Sequence, residues 1–330
     1  MIKKLFLFGA AVLAAFLVMT LLPASSSDAR AEVSIPAGSG SRAIARALKD
    51  AGAIRSATAF RAVCLLSGKG GKLKAGDFEV PLNLNAWQVV ELLVSGKALQ
   101  RRFLITEGLS AWQIAKLLEA KKLAQGKRFL SLVYDPAFTK KMGVNAPNLE
   151  GYLFPDSYQF SRGVPEETLV SMMVTRFKEV VDQALLDQGQ RLKLTPRQVL
   201  TLASVIEKEA RVDDERPKVA RVFLNRKAAK MRFESCATVR YALNKYTGPV
   251  LFKDLEVDSP YNTYKHWGLP PGPICSPGLK AIDAAVHPAD GDWLFFVVAG
   301  DGTQIFSKTF EEHKKAKARY KRLKKGVVEE

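Results

Sequence analysis

Two stretches of this chain repeat each other. Asn85-Ala86-Trp87-Gln88-Val89-Val90-Glu91-Leu92-Leu93 parallels Ser110-Ala111-Trp112-Gln113-Ile114-Ala115-Lys116-Leu117-Leu118, and each follows a short strand-like piece, Phe78 to Leu82 and Arg102 to Thr106. A fainter third copy begins at Val33, where Ile35, Gly38, Ile44, Ala45 and Leu48 keep the spacing of Ile105, Gly108, Ile114, Ala115 and Leu118. Every copy reads as an extended segment, a turn, and a helix opened by a polar cap such as Asn85 or Ser110. Half-units of this kind cannot bury their own apolar faces, so they have to pack together. Residues 32–123 are therefore expected to form a small α+β module. Trp87 and Trp112 fall on the apolar sides of their helices and read as core residues, with sugar stacking as the alternative.

The start of the chain carries a second constraint. Lys3 and Lys4 precede the apolar run Leu5 to Leu22, which is broken only by Gly9 and Thr20 and followed by Pro23 and a serine-rich stretch. As a helix the run rises about 27 Å, close to the roughly 30 Å of a bilayer core. Lysines beside the amino terminus favour an inside start and an exported remainder. We expect a single-pass anchor over 1–23, a linker over 24–31, and a body on the far side of a bacterial inner membrane, in the periplasm. A cleaved signal peptide is the rival, because Ala29-Arg30-Ala31 has the small-x-small form.

Composition enters through charge. The 330 residues are 47% hydrophobic and 25% charged, as in a folded protein, with a formal net charge of +17. Such a surplus steers binding to nucleic acid, anionic membranes or acidic polymers without choosing among them. Export sets nucleic acid aside and favours an anionic envelope polymer. It also permits disulfides. Of Cys64, Cys236 and Cys275 one pair at most can bridge within the monomer, and Cys236 with Cys275 is the pair expected, both lying late in the chain; three free thiols is the alternative. The spacings exclude a zinc cluster of the usual kind.

Beyond residue 123 the pattern changes. Residues 124 to 165 read as a connecting and edge region, and those from 165 to 231 as helical. Thr195-Pro196-Arg197-Gln198 is a strong helix opening: threonine cap, proline at the first position, glutamine where a capping box needs it. Residues 232 to 278 are rich in proline, glycine and tyrosine and read as long loops. A helix from Leu279 to Ala285, a strand Trp293 to Ala299, a turn at Gly300 to Gly302, a strand around Ile305-Phe306 and a basic final helix follow.

Nucleophile-base-acid triads fit poorly. The histidines are His266, His287 and His313, no serine sits in a G-x-S-x-G elbow, and neither H-E-x-x-H nor a phosphate-cradling glycine loop is present. Carboxylate chemistry remains. Within Leu202-Ala203-Ser204-Val205-Ile206-Glu207-Lys208-Glu209-Ala210, Leu202, Val205, Ile206 and Glu209 share one helix side. Glu209 thus continues an apolar stripe, where a cleft would desolvate the carboxyl and raise its pKa as a general acid requires. Glu207 shares the other face with Leu200 and Ala203 and is the second candidate. A surface position or an ion-pair role is the alternative for either.

These residues belong to a longer series of motifs. Leu149-Glu150-Gly151-Tyr152-Leu153-Phe154-Pro155-Asp156-Ser157-Tyr158, the helix ending Glu207-Lys208-Glu209, and Val219-Ala220-Arg221-Val222-Phe223-Leu224-Asn225-Arg226 come first. Ser259-Pro260-Tyr261-Asn262-Thr263-Tyr264, Gly268-Leu269-Pro270-Pro271-Gly272-Pro273-Ile274 and Asp283-Ala284-Ala285-Val286-His287-Pro288 follow. In this order the series resembles the bacterial YceG-like family, the endolytic murein transglycosylases, over essentially the whole chain. The resemblance implies an α+β protein with an inner-membrane anchor, a LysM-like subdomain (32–123) and a mixed helix and strand catalytic domain (124–330). It implies cleavage within nascent peptidoglycan strands, partnership with penicillin-binding synthases, and catalysis by the second acid of the E-K-E motif, which is Glu209.

The mechanism so implied needs no cofactor and no metal. Protonated Glu209 donates to the oxygen between N-acetylmuramic acid and N-acetylglucosamine, and the muramic 6-hydroxyl attacks the anomeric carbon to leave a 1,6-anhydro end. Glu150, Tyr152, Asp156 and Tyr158 are expected to line the groove or orient Glu209, and Asn225 and Arg226 to hold substrate amides or carboxylates. Tyr261, Asn262, Thr263 and Tyr264, with Leu269, Pro270 and Gly272 of the next loop, offer donors and aromatic faces for sugar rings. Two departures stand out. Ser235-Cys236-Ala237-Thr238 occurs where the family commonly reads Thr-Asp-Pro-Thr, and Cys275 replaces an alanine, so a Cys236–Cys275 bridge in place of the lost Asp-Pro pair is the hypothesis. A lysozyme-like hydrolase and a non-catalytic wall-binding scaffold are the competing functions.

Overall fold

The computed structural model describes residues 2–36, 38–96, 98–299 and 301–326; the side chains of Lys3 and Lys4, and the expected turn residue Gly300, lie outside the described set. The chain divides into two units. One comprises Met1–Phe103, Glu119–Ala124 and Ser157–Pro165, the other Leu104–Leu118, Gln125–Asp156 and Glu166–Glu330. The stretch 32–123 therefore contributes to both.

In the first unit α1 (Ile2–Leu21) leads into β1 (Arg30–Ile35), α2 (Ser41–Asp50), α3 (Ala57–Leu66), β2 (Gly76–Pro81) and α4 (Ala86–Ser95). β1 and β2 pair antiparallel, with Val33 opposite Phe78. Strand alternation turns Val33 and Ile35 inward. There they meet the helical stripes Ile44–Leu48, Phe60–Val63 and Val89–Leu93 in one apolar core. A second strand pair joins β3 (Arg101–Leu104) to β4 (Ser157–Phe160), with Phe103 edge-on to Phe160 at 5.9 Å.

The apolar run at the start does form a helix, α1, but among the described residues no helix is long and apolar enough to cross a membrane. The single-pass anchor, and the inner-membrane and periplasmic localisation built on it, are corrected accordingly. Two features account for the difference. α1 packs against α3 and α4 of its own unit instead of standing free of it. Near its end Thr20 is buried, with its hydroxyl donating to Phe16 O.

The second unit runs through α5 (Ala111–Ala120, in this unit up to Leu118), α6 (Gly126–Val133), α7 (Pro136–Lys141), α8 (Glu166–Val180), α9 (Gln183–Asp187) and α10 (Pro196–Glu209). It continues with α11 (Arg216–Ala228), α12 (Cys236–Ala242), α13 (Leu279–Val286), the antiparallel hairpin β5 (Phe295–Val298) and β6 (Gln304–Ser307), and α14 (Phe310–Gly326). α10 is its axis. All residues from Val199 to Ile206 are buried, and α13, α11, α9 and α12 pack around it. A helix without a polar face has to be enclosed in this way. Thr195, Pro196 and Gln198 open α10 with the expected reciprocal capping box.

Mixed α+β architecture thus holds, while details differ. Residues 232 to 278, expected as loops, contain α12 and a 3-10 turn over Phe252–Glu256, and the connecting region contains α6 and α7. Neither tryptophan of the repeat is in the core. The buried stripes are Ala86, Val89, Val90, Leu93 and Ala111, Ile114, Ala115, Leu118, so each indole stands one position off its stripe. Trp87 is 37% exposed, and half-buried Trp112 stacks on Tyr246 at 5.5 Å.

Candidate active site

α10 delivers Glu209 at its last turn. Leu202, Val205 and Ile206 are buried, and Glu209 ends their stripe half-buried, facing an open cleft of about 280 Å³. Gly108, Gln113, Lys208, Cys236, Ala237, Arg240, Tyr246 and Ile274 complete the walls. The main chain is fixed at this point, since Gln304 Nε2 donates to Glu209 O at 2.8 Å.

Ser235 is the direct partner of the carboxyl. It occupies the N-cap position of α12, yet its side chain caps nothing. Its Oγ donates instead to Glu209 Oε1 at 2.5 Å. The backbone holds it there: Ser235 N donates to Thr263 Oγ1 (3.1 Å), and the Thr238 and Thr263 hydroxyls lie 2.8 Å apart, both buried. Burial raises the Glu209 pKa above the ordinary carboxylate range; the Ser235 hydrogen bond and the charges of Arg226 and Lys208 act in the opposite direction. The net result is a carboxyl raised above its ordinary value, beside a hydroxyl that can support its ionised form.

The other acid of the E-K-E motif is placed differently. Glu207 Oε1 accepts from Arg216 at 3.1 Å and Oε2 from Gly278 N at 3.0 Å, and the pair is almost fully enclosed. Both oxygens are thereby used to join α10, α11 and the entry to α13. Lys208 reaches across to Gly108 O at 3.0 Å.

Glu150 is 1% exposed and ties together three segments of the second unit. Its Oε1 accepts the first amide of α5, Ala111 N, at 3.0 Å, while Oε2 accepts from Tyr134 Oη (2.9 Å) and Tyr241 Oη (3.2 Å). Burial pushes its carboxyl up to about 7 despite these donors. Gly151 follows with φ +88°, and a Cβ there would lie 2.5 Å from Pro273 Cβ, so the turn and the close approach both call for glycine.

Each of the remaining expected residues has partners of its own. Tyr152 is buried edge-on to Phe177, and Asp156 pairs with Arg176 at 2.6 Å. Tyr158 is buried in β4 of the first unit. Asn225 Nδ2 donates to Gly291 O and Trp293 O. Arg226 donates to Leu294 O (2.7 Å), Arg232 O (3.2 Å) and Phe233 O (2.8 Å). Tyr261 packs on Tyr241 at 4.8 Å, and buried Asn262 holds Leu255 O and Val257 O. Tyr264 Oη lies 3.1 Å from Cys236 Sγ. Pro270 is buried and Leu269 half-buried; a Cβ at Gly272 would meet the Arg197 guanidinium at 2.4 Å. The expected Cys236–Cys275 bridge is absent, because Cys275 is buried and donates to Ser204 O at 3.3 Å while Cys236 is exposed beside Tyr264.

Gln113, Arg240, Tyr246 and Ser235 were not legible as site residues. Ser235 alone had a signal: it heads the tetrapeptide that departs from the family pattern. Among the described residues no cluster of His, Cys, Asp or Glu could hold a metal ion.

Fold and site together define a class: a mixed α+β protein that presents a protonatable carboxyl, at the end of a buried helix, to a polar cleft. Residues 33–319 match the YceG-like family, and the chain belongs to that family. It is 33% identical over 310 residues to the endolytic murein transglycosylase of Bacillus subtilis (strain 168), with 89% of this chain and 86% of that protein covered. With the endolytic murein transglycosylase of Streptococcus pneumoniae serotype 2 (strain D39) it shares 27% identity over 334 residues, covering 90% of this chain and 60% of the pneumococcal protein's length. The crystal structure of a YceG-like protein from Listeria monocytogenes superimposes with a TM-score of 0.60 at 35% identity, covering 88% of this chain and 99% of that one.

Proposed function

We infer that this chain is an endolytic murein transglycosylase, a lytic enzyme acting within glycan strands, with Glu209 as its acid and base. The observation that carries the reading is the Glu209–Ser235 pair at the cleft wall. Protonated Glu209 gives its proton to the oxygen between N-acetylmuramic acid and N-acetylglucosamine, and that C–O bond breaks through an oxocarbenium-like state. The muramic 6-hydroxyl then bonds to the anomeric carbon and returns its proton to the Glu209 carboxylate, leaving a 1,6-anhydro end and regenerating the acid. Ser235 stabilises the carboxylate between the two transfers.

Because the nucleophile belongs to the substrate, attack gains from proximity and no second carboxylate is required. Glu209 is the carboxylate among the residues lining the cleft, whereas hydrolysing glycosidases place two across the bond. Lys208 and Arg240 suit the anionic peptide stems, and Gln113 and Tyr246 the acetamido groups. Penicillin-binding synthases, which the resemblance implies as partners, find no support in the fold or in the relatives; the glycan strand is the proposed partner.

Mass spectrometry of digested nascent-type strands tests the reading. Anhydro-muramic ends are expected, lighter than hydrated ends by one water, about 18 Da; reducing ends would make the protein a hydrolase, and intact strands a scaffold. Glu209→Gln is expected to stay folded and to lose cleavage by at least about 100-fold, and full activity would overturn the assignment.

A further inference from the structure

Trp267 is 62% exposed, although the residues around it in the second unit are well ordered by hydrogen bonds. Tryptophan is enriched where a surface has to present an apolar ring face with a polar end to a partner. The rim is basic and otherwise apolar: Lys227, Lys230, Met231 and Gly268 line a shallow pocket of about 350 Å³ with Trp267, and the Arg232 guanidinium lies 5.4 Å from the indole centroid. Arg232 lies over the ring, and the exposure of Trp267 leaves indole surface open to a ligand.

Two tethers bind this platform to the catalytic carboxyl. Arg232 is three residues before Ser235, hence at most about 11 Å from it along the chain. On the other side, Trp267 is four residues after Thr263, whose Oγ1 accepts the Ser235 amide. The first tether is held in place, because Arg226 donates to the carbonyls of Arg232 and Phe233. The platform is thus joined on both sides, within a few residues, to Ser235, the hydrogen-bond partner of Glu209.

We propose that Trp267, with Lys227, Lys230 and Arg232, is a distal glycan subsite that stacks one pyranose of the strand on the indole and pairs the basic rim with carboxylates of its peptide stem. The proposal rests on the transglycosylase reading of the cleft. A sugar ring presents C–H groups on one face, which pack on an indole, and the net charge of +17 complements an anionic polymer rather than a neutral one.

Steady-state cleavage of purified glycan strands by the full chain and by Trp267→Ala tests it. Removing the stacking partner is expected to raise KM on long strands about tenfold, with kcat within about twofold. Trp267→Phe recovers most of the loss, and a minimal oligosaccharide too short to reach the platform is cut equally by all three. An unchanged KM on long strands, from a Trp267→Ala variant with wild-type circular dichroism, overturns the subsite. If Trp267→Ala abolishes sedimentation with phosphatidylglycerol vesicles while strand KM stays put, the platform is a membrane contact and the glycan assignment falls. Wild-type protein that leaves strands intact overturns the transglycosylase reading instead. The subsite is then decided by retention on insoluble murein, which Trp267→Ala must lose for the subsite to stand and keep for it to fall.

Discussion

α4 and α5 begin from nearly the same sequence and end with different duties. Each opens with a polar cap and a glutamine three residues later: Asn85 with Gln88, and Ser110 with Gln113, exchange side-chain and backbone hydrogen bonds in the same reciprocal way. Each also buries the same four-position stripe. What differs is the environment of the first turn. In α4 Trp87 is exposed to solvent. In α5 the corresponding turn receives a buried carboxylate, Glu150, on Ala111 N, a tyrosine against Trp112, and a cleft beside Gln113. Local sequence determined the helix in both cases; only the surrounding unit determined that one of them borders a cleft.

The largest test of that difference is Glu150→Ala. It leaves Ala111 N and two tyrosine hydroxyls without their acceptor, so a loss of about 3 kcal/mol or more is expected in urea unfolding. No loss would mean that α5 is fixed by its stripe alone, as α4 is. Next comes Trp112→Ala, which removes a stacked half-buried indole and should cost about 2 kcal/mol, against less than about 1 kcal/mol for Trp87→Ala. Equal costs measured by thermal melts would erase the contrast.

Glu150 also gives the comparison a pH signature. Its folded carboxyl is raised from 4.5 to about 7, so between those values the folded state holds a proton that the unfolded state has released. Its contribution is therefore fully present below about pH 4.5 and lost as pH rises through about 7. Urea midpoints of the wild type are expected to fall across this window relative to Glu150→Gln, and parallel curves would contradict the burial argument. Smallest in stability is the cap pair: Gln88→Ala and Gln113→Ala should each cost about 1 kcal/mol or less. Only Gln113→Ala should also lower kcat/KM on glycan strands; an equal effect from Gln88→Ala would remove Gln113 from the cleft's function.

The same division explains what the sequence disclosed. Capping boxes at Asn85 and Thr195, the alternation of Val33 and Ile35, and the stripe that ends at Glu209 are local patterns, and local patterns can be read directly. α12 could not be read, because it is a seven-residue helix in a proline- and glycine-rich stretch and its cap serine is turned to Glu209. Gln113, Arg240 and Tyr246 reach the cleft through tertiary packing that has no periodic trace. The tryptophans misled for a related reason: they read as part of the apolar side, yet each stands one position off the buried stripe of its helix. The first helix misled because apolar length is legible in the sequence, whereas its packing against α3 and α4 is not.

Arg226 has a consequence for the timing of the proposed cycle. Three main-chain carbonyls hold its guanidinium in place, and its positive charge acts on Glu209 from there. A cation so immobilised has no swing to make when the acid becomes a carboxylate, and an arriving strand cannot borrow it as a counterion. The field that favours the ionised half of the reaction is already standing before the substrate arrives, so reorganisation at that residue adds little to the barrier.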